Sequence, residues 1–173
     1  ELSGLQTLFY GAAPMTPSGL QGGVEKWGQI FFQCFGQSEA PMVLTHLKKS
    51  DHDLSKPERF ASCGRPSPWV HLALLDPNNQ RVPEGEAGEI CVRAPLVMKG
   101  YRNDPERTAE ALDADGWLRS GDVAEIDGDG YVRIVDRKKE LIINSAGKNM
   151  SPANIELMLR AASPLIAHAM CVG

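Results

Sequence analysis

Apolar residues come in short runs along this chain, and most runs stop at glycine or proline. Leu5 to Tyr10 is one such run and ends at Gly11-Ala-Ala-Pro14, which predicts a strand followed by a loop. Thr16-Pro17 carries a helix-start signature, a hydroxyl cap followed by proline at the first helical position. The helix it starts is poor by propensity, with Gly19, Gly22 and Gly23 inside it. Ile30 to Phe35 reads as a fully buried strand ending at Gly36. The order strand, helix, strand predicts an α/β piece, with ligand-binding loops expected at the carboxyl ends of its strands.

The pattern changes near His46. Leu47 to Pro68 is polar and irregular, and short strands then alternate with turns. Trp69 to Leu75 is a strand, Asp76-Pro-Asn-Asn79 a turn, and Glu89 to Arg93 a strand entered from the loop Pro83 to Gly88. Asp104-Pro105 caps a helix running to about Leu112. Val123 to Ile126 and Tyr131 to Val135 form a hairpin across Asp127-Gly-Asp-Gly130. This middle section predicts a small, mostly antiparallel β-subdomain. A third section begins near Lys139, with a strand from Leu141 to Ile143. Ser151-Pro152 then starts a helix with Ile155, Met158, Leu159 and Ala162 on one face, and a last strand runs from Leu165 to Val172. The fold class is α/β to α+β.

Composition narrows the function classes. The 173 residues hold 18 Lys and Arg against 22 Asp and Glu, a formal net charge of −4, so the basic stripe of a nucleic-acid binder is not expected. No run approaches the ~18 apolar residues of a membrane span, and the opening Glu-Leu-Ser-Gly has no signal-peptide character, so the reading is cytoplasmic. Without a starting Met, and with a lone strand–helix–strand at its end, the chain is expected to be a fragment. Gly and Pro, at 17 and 12, are in excess and point to many turns. Cys34, Cys63, Cys91 and Cys171 lack zinc spacing and sit among apolar or small neighbours, which suggests reduced, buried thiols.

Two familiar patterns fail on inspection. Asp127-Gly-Asp-Gly130 begins like a calcium loop, but Tyr131 and Lys138 stand where oxygen ligands are required, so it is a turn. Gly36-Gln-Ser38-Glu-Ala40 nearly matches a nucleophile elbow, but Ala40 replaces the last glycine and Pro41 follows. A hydrolase triad of Ser38, Asp122 and His168 has only chain order behind it. His71 lies inside a strand and His168 in an apolar run, and both are expected to be packed.

A set of segments in fixed order is more specific. These are Tyr10-Gly-Ala-Ala-Pro14, Phe35-Gly-Gln-Ser-Glu-Ala40, Val97-Met-Lys-Gly-Tyr101 and Gly116-Trp-Leu-Arg-Ser-Gly-Asp122. Gly130-Tyr-Val-Arg-Ile-Val-Asp-Arg-Lys-Lys139 and Ser145-Ala-Gly-Lys-Asn-Met-Ser-Pro152 follow. Over almost the whole chain they resemble the adenylate-forming superfamily, and within it bacterial fatty-acid–CoA ligases. The resemblance implies a C-terminal-half fragment. Residues 1–138 would be the C-terminal part of the large AMP-binding domain, with 1–46 the α/β piece and 47–138 the β-rich subdomain. Residues 139–173 would be the hinge and a truncated start of the small C-terminal domain.

The implied reaction joins a fatty acid to ATP, giving an acyl-adenylate, and then passes the acyl group to CoA. Mg²⁺ and positive charge are needed where a carboxylate meets a polyphosphate. By resemblance, Gly11, Ala12, Ala13 and Pro14 lie beside the adenine. Phe35 matches the stacking aromatic, usually Tyr, and Gly36 follows it in the same nucleotide-binding motif. Ser38 matches a Thr at the α-phosphate, and Glu39 matches the Mg²⁺-binding carboxylate. Asp122 matches the carboxylate that grips both ribose hydroxyls, against the plainer reading of a turn-capping Asp after Gly121. Arg137 matches a second ribose or phosphate contact, Lys139 the hinge, and Gly147 the loop facing the thiol channel. The family's Ser/Thr/Gly-rich phosphate loop and its terminal catalytic lysine fall outside these residues. The expectation is therefore a segment incomplete alone, or an inactive or complementing nucleotide binder that pairs with a separately made N-terminal portion. A ligase for an aryl or short-chain acid is the rival within the family.

Overall fold

The structure is a computed structural model that describes residues 4–13, 15–143, 149–163 and 165–172. Its first sheet has four strands in the order β1 (Leu8–Gly11), β2 (Phe31–Gln37), β3 (Ala40–Leu47) and β4 (Arg65–Pro66). β1 and β2 are parallel, and α1 (Pro17–Trp27) crosses between them, as the sequence pattern predicts. Thr16 caps α1 by accepting from the amide of Gly19. Leu20, Gly23 and Val24, at i, i+3 and i+4, form its buried face. The glycine has a packing role there, because a Cβ on Gly23 would stand 2.7 Å from Cζ of Phe31. α1 and β2 thus meet more closely than any larger residue permits.

β2 does not end at Gly36. It continues to Gln37, turns through Ser38 and Glu39, and returns antiparallel as β3. Pro41 therefore lies inside β3. The sheet also runs past His46 to β4, so the change in composition there is no break in the structure. The polar β3 residues Thr45, buried, and His46, half-buried, each find a partner. Thr45 Oγ1 donates to the Cys63 carbonyl at 2.6 Å, and His46 Nδ1 lies 3.1 Å from Ser67 Oγ. The polar stretch beyond β3 folds into two 3-10 turns (Lys49–Asp51 and Pro57–Ala61) and buries His52 and Phe60.

The second sheet is wholly antiparallel, in the order β5 (His71–Leu75), β6 (Gly88–Arg93), β7 (Leu118–Ile126) and β8 (Val132–Arg137). α2 (Pro105–Ala111), capped by Asp104, lies between β6 and β7 in the chain. One core joins the two sheets, with Ala40 and Leu44 of β3 packed among Leu74, Ile90, Val92, Leu118, Ala124 and Val132. Backbone bonds tie the sheets as well: Cys63 donates to Val132 at 2.8 Å, and Val132 donates back to Gly64 at 2.8 Å. The Asp127–Gly130 segment is the expected hairpin turn, its Asp127 Oδ1 accepting from the amides of Asp129 and Tyr131.

Beyond β8 a two-stranded pair, β9 (Ile142–Ile143) and β10 (Asn149–Met150), precedes α3 (Pro152–Ala162). Ser151 caps α3 and ties it to β8, donating to the Asp136 carboxylate at 2.5 Å. The periodicity located the helix but not its burial, since Met158 is 72% exposed and Leu159 47%. Residues 165–172 are not the expected strand. They are irregular, with no pairing partner among the described residues. Two further expectations are overturned. His71 and His168 are exposed, His71 on an edge strand and His168 in that irregular segment. Cys63 and Cys91 are buried, but Cys34 and Cys171 are only half-buried.

Candidate functional site

The two sheets converge on a cleft of about 360 Å³ lined by Ala12, Gly36, Gln37, Ser38, Glu39, Tyr101, Arg119, Ser120 and Arg137. Five chain regions build it: the residue after β1, the β2–β3 turn, Tyr101 before α2, the start of β7 and the end of β8. Ala12, Gly36, Ser38, Glu39 and Arg137 were expected from sequence, and they meet here. Gln37, Tyr101, Arg119 and Ser120 were not assigned.

At the end of β1, Gly11 is paired with Cys34, and a Cβ on it would stand 2.3 Å from the Cys34 carbonyl oxygen. The chain then turns sharply, with Ala12 at φ 62° and the Ala13 amide donating to the Gly11 carbonyl at 2.7 Å. Gly11 and Ala13 sit at this turn, and Pro14 lies outside the described residues. Phe35 does not line the cleft and instead packs in part against the shared core.

Ser38 and Glu39 form the tip of a hairpin, a strand–turn–strand arrangement. A nucleophile elbow needs a strand–turn–helix, so the hydrolase reading fails on geometry. The exposed His168 makes no hydrogen bond to Ser38 or Asp122 among the described residues. Glu39 is held twice by the segment from Val97 to Tyr101. The Met98 amide donates to its carbonyl at 2.7 Å, and the Tyr101 hydroxyl donates to its Oε1 at 2.7 Å. That carboxylate neighbour pushes the Tyr101 phenol up, with partial burial adding to it.

Asp122 is not a turn cap. It lies within β7, opposite Arg137 of β8, and its Oδ1 is 2.8 Å from Arg137 Nε. Gly121 before it has φ 73°, a left-handed conformation that suits glycine, and a register shift follows at Val123 and Ala124. The Asp122 side chain is 5% exposed and that of Arg137 57%. The pair therefore offers a buried carboxylate and a guanidinium open to ligand. Burial raises the Asp122 carboxyl pKa, Arg137 opposes the rise, and Glu140 and Glu39 add to it. Lys138 and Arg119 meet elsewhere, on the buried Glu89, whose Oε2 lies 2.8 Å from Lys138 Nζ and 3.4 Å from Arg119 Nη1. Lys139 is exposed in the turn after β8, and Gly147 lies outside the described residues.

The cleft thus combines hydroxyls, two arginines and the Glu39 carboxylate, and the buried Asp122 carboxylate stands behind it on Arg137. A carboxylate accepts two donors at once, which suits a vicinal diol, and the arginines suit an anionic group. No group of three or more His, Cys, Asp or Glu that could hold a metal occurs among the described residues. Mg²⁺ does not require one, because it commonly takes one or two carboxylates and completes its shell with water and substrate phosphates. Glu39, with Ser38 beside it, fits that role. No helix among the described residues is long and apolar enough to cross a membrane.

The family described as AMP-binding enzyme matches residues 1–102. Over 173 residues the chain is 44% identical to the medium/long-chain-fatty-acid–CoA ligase FadD8 of Mycobacterium tuberculosis, covering 100% of this chain and 29% of the relative. It is 44% identical over 156 residues to a feruloyl-CoA synthase from an Amycolatopsis species, covering 90% of this chain and 30% of that protein. Among solved structures, a point mutant of amide bond synthetase McbA from Marinactinospora thermotolerans superposes with a TM-score of 0.88 at 37% identity, over 100% of this chain and 34% of the other.

Proposed function

Because the chain belongs to the AMP-binding enzyme family, we propose that it is part of an AMP-forming acid–thiol ligase that activates a fatty acid with ATP and passes the acyl group to CoA. The chain spans 29% of the mycobacterial ligase, so this reaction is proposed for the whole protein. The observation that carries the reading is the buried Asp122 paired with Arg137 beside the Ser38–Glu39 turn.

The roles follow from the chemistry of each group. Asp122 accepts from both ribose hydroxyls, and Arg137, held against it, contacts ribose or phosphate. Gly11, Ala12, Ala13 and Pro14 border the adenine beside Gly36, and Phe35, packed against the core, supports that strand from behind. Ser38 donates to the α-phosphate. Glu39 would hold Mg²⁺, which neutralises phosphate charge as the carboxylate approaches. Residues 1–138 belong to the large domain and 139–173 begin the small one, with Lys139 as the hinge and Gly147 on the thiol side. A separately folded N-terminal portion would cover β1, where Phe9 is 68% exposed although it lies in a strand.

The 44% identity to feruloyl-CoA synthase supports a second reading, an aryl acid as substrate. The whole protein, supplied with ATP, CoA and either a long-chain fatty acid or ferulate, separates the two. AMP and fatty acyl thioester formed together support the first reading. Turnover of ferulate alone supports the second, and release of neither AMP nor thioester with any acid overturns both.

A further inference from the structure

We propose that Tyr101 is a positioning residue for the Glu39 carboxylate, holding it so that its second oxygen is presented to a divalent cation. The proposal rests on the nucleotide-site reading above. Glu39 stands on a two-residue turn, where a glutamate side chain ordinarily samples several rotamers. Here both ends of the residue are fixed by one segment: the Met98 amide takes the carbonyl and the Tyr101 hydroxyl takes Oε1, each at 2.7 Å.

That segment is itself braced. The Tyr101 amide donates to Thr108 Oγ1 at 2.9 Å, and this hydroxyl donates to the Asp104 carbonyl at 2.7 Å, at the start of α2. Gly100 before it has φ 148°, and a Cβ there would stand 2.8 Å from Thr108 Cγ2, so a bare backbone lets Tyr101 approach α2. The phenol is therefore anchored from behind and lines the cleft with Glu39. A neutral donor on one carboxylate oxygen leaves the negative charge in place and the other oxygen free to ligate. Partners of this kind orient metal-binding carboxylates, and losing one typically costs about 10-fold or more in metal affinity.

The test uses Tyr101→Phe, which keeps the ring and removes only the donor. ATP binding to the full chain is measured by calorimetry with Mg²⁺ and with EDTA, and AMP binding in EDTA. The wild-type chain should bind ATP more tightly with Mg²⁺. Tyr101→Phe should shrink that gain by roughly 10-fold, and Glu39→Gln should abolish it. AMP binding and the unfolding midpoint of Tyr101→Phe should match wild type. An unchanged Mg²⁺ gain in Tyr101→Phe overturns the proposal, as does a wild type with no gain. Failure of wild type to bind AMP refutes instead the nucleotide-site reading beneath it.

Discussion

Replacing Gly36 by alanine puts a methyl group into backbone that cannot move aside. An ideal Cβ at this position stands 2.7 Å from the Met42 nitrogen, 2.9 Å from the Ala40 oxygen and 2.9 Å from the Met42 carbonyl carbon. All three atoms are main chain, in the strand that pairs with β2, so no rotamer change relieves them. Met42 already has φ 70°, which leaves the bulge little room to adjust. Overpacking of this kind costs about 1–3 kcal/mol. For a chain of this size each kcal/mol lowers the melting temperature by roughly 2–4 °C, so the expected fall is about 2–12 °C. Gly22→Ala is the control. Nothing lies within 4 Å of its added Cβ, and it sits inside α1, so the change should stabilise by up to about 1 kcal/mol through helix propensity. Calorimetric melting of the two variants checks the pair. A Gly36→Ala chain that melts with wild type would refute the claim that the β2–β3 turn is held by this backbone contact. The same displacement should weaken nucleotide binding, because Ser38 and Glu39 ride on that turn.

Other consequences are independent of the ligand. His52 is fully buried, its Nδ1 donating to the Lys48 carbonyl at 2.7 Å and its Nε2 accepting from the Tyr10 hydroxyl at 2.9 Å, which fixes the neutral form. Burial pushes its pKa below the usual value, so the unfolded chain takes up the proton first. Stability from this group is full above about pH 6.5 and falls on acidification through the depressed value. Urea midpoints that rise between pH 7.5 and 5.5 would contradict this. Cys63 and Cys91 have thiols pushed up to about 11 by burial. A maleimide at neutral pH should label Cys34 and Cys171 first and reach the other two only on unfolding, as mass spectrometry would show.

The α1 cap, strands β5, β6 and β8, the second half of β7 and the Asp127 turn were legible because each rests on local chemistry, a cap, an alternation or an Asx turn. β3 was not. Thr45 and His46 break its apolar run, yet each finds a partner in residues 63–67, Thr45 buried and His46 half-buried. α3 shows the reverse case: helical spacing gives the element, while burial depends on what covers it. In the site, the motif segments named Ser38, Glu39 and Arg137, and the fold brings the three to one cleft. Tyr101 stood in a noted segment, but its bond to Glu39 spans 62 positions, a separation that only the tertiary fold closes. For Asp122 the plainer alternative was a turn cap after Gly121, and the pairing with Arg137 removes it by placing Asp122 in a strand.

The central claim is that the cleft at Asp122 binds an adenylate. Calorimetry with a non-hydrolysable fatty acyl-AMP mimic, on wild type and Asp122→Ala, tests it most directly. Arg137 is largely exposed and can be solvated when its partner is removed, so the variant should fold with little loss. Hydrogen bonds to a charged acceptor are worth about 1.5–3 kcal/mol each, so losing two should weaken binding by roughly 100-fold or more. Saturable binding by wild type, lost in a folded Asp122→Ala chain, is the predicted result. Equal binding by both chains, or none by a cooperatively folded wild type, would contradict it.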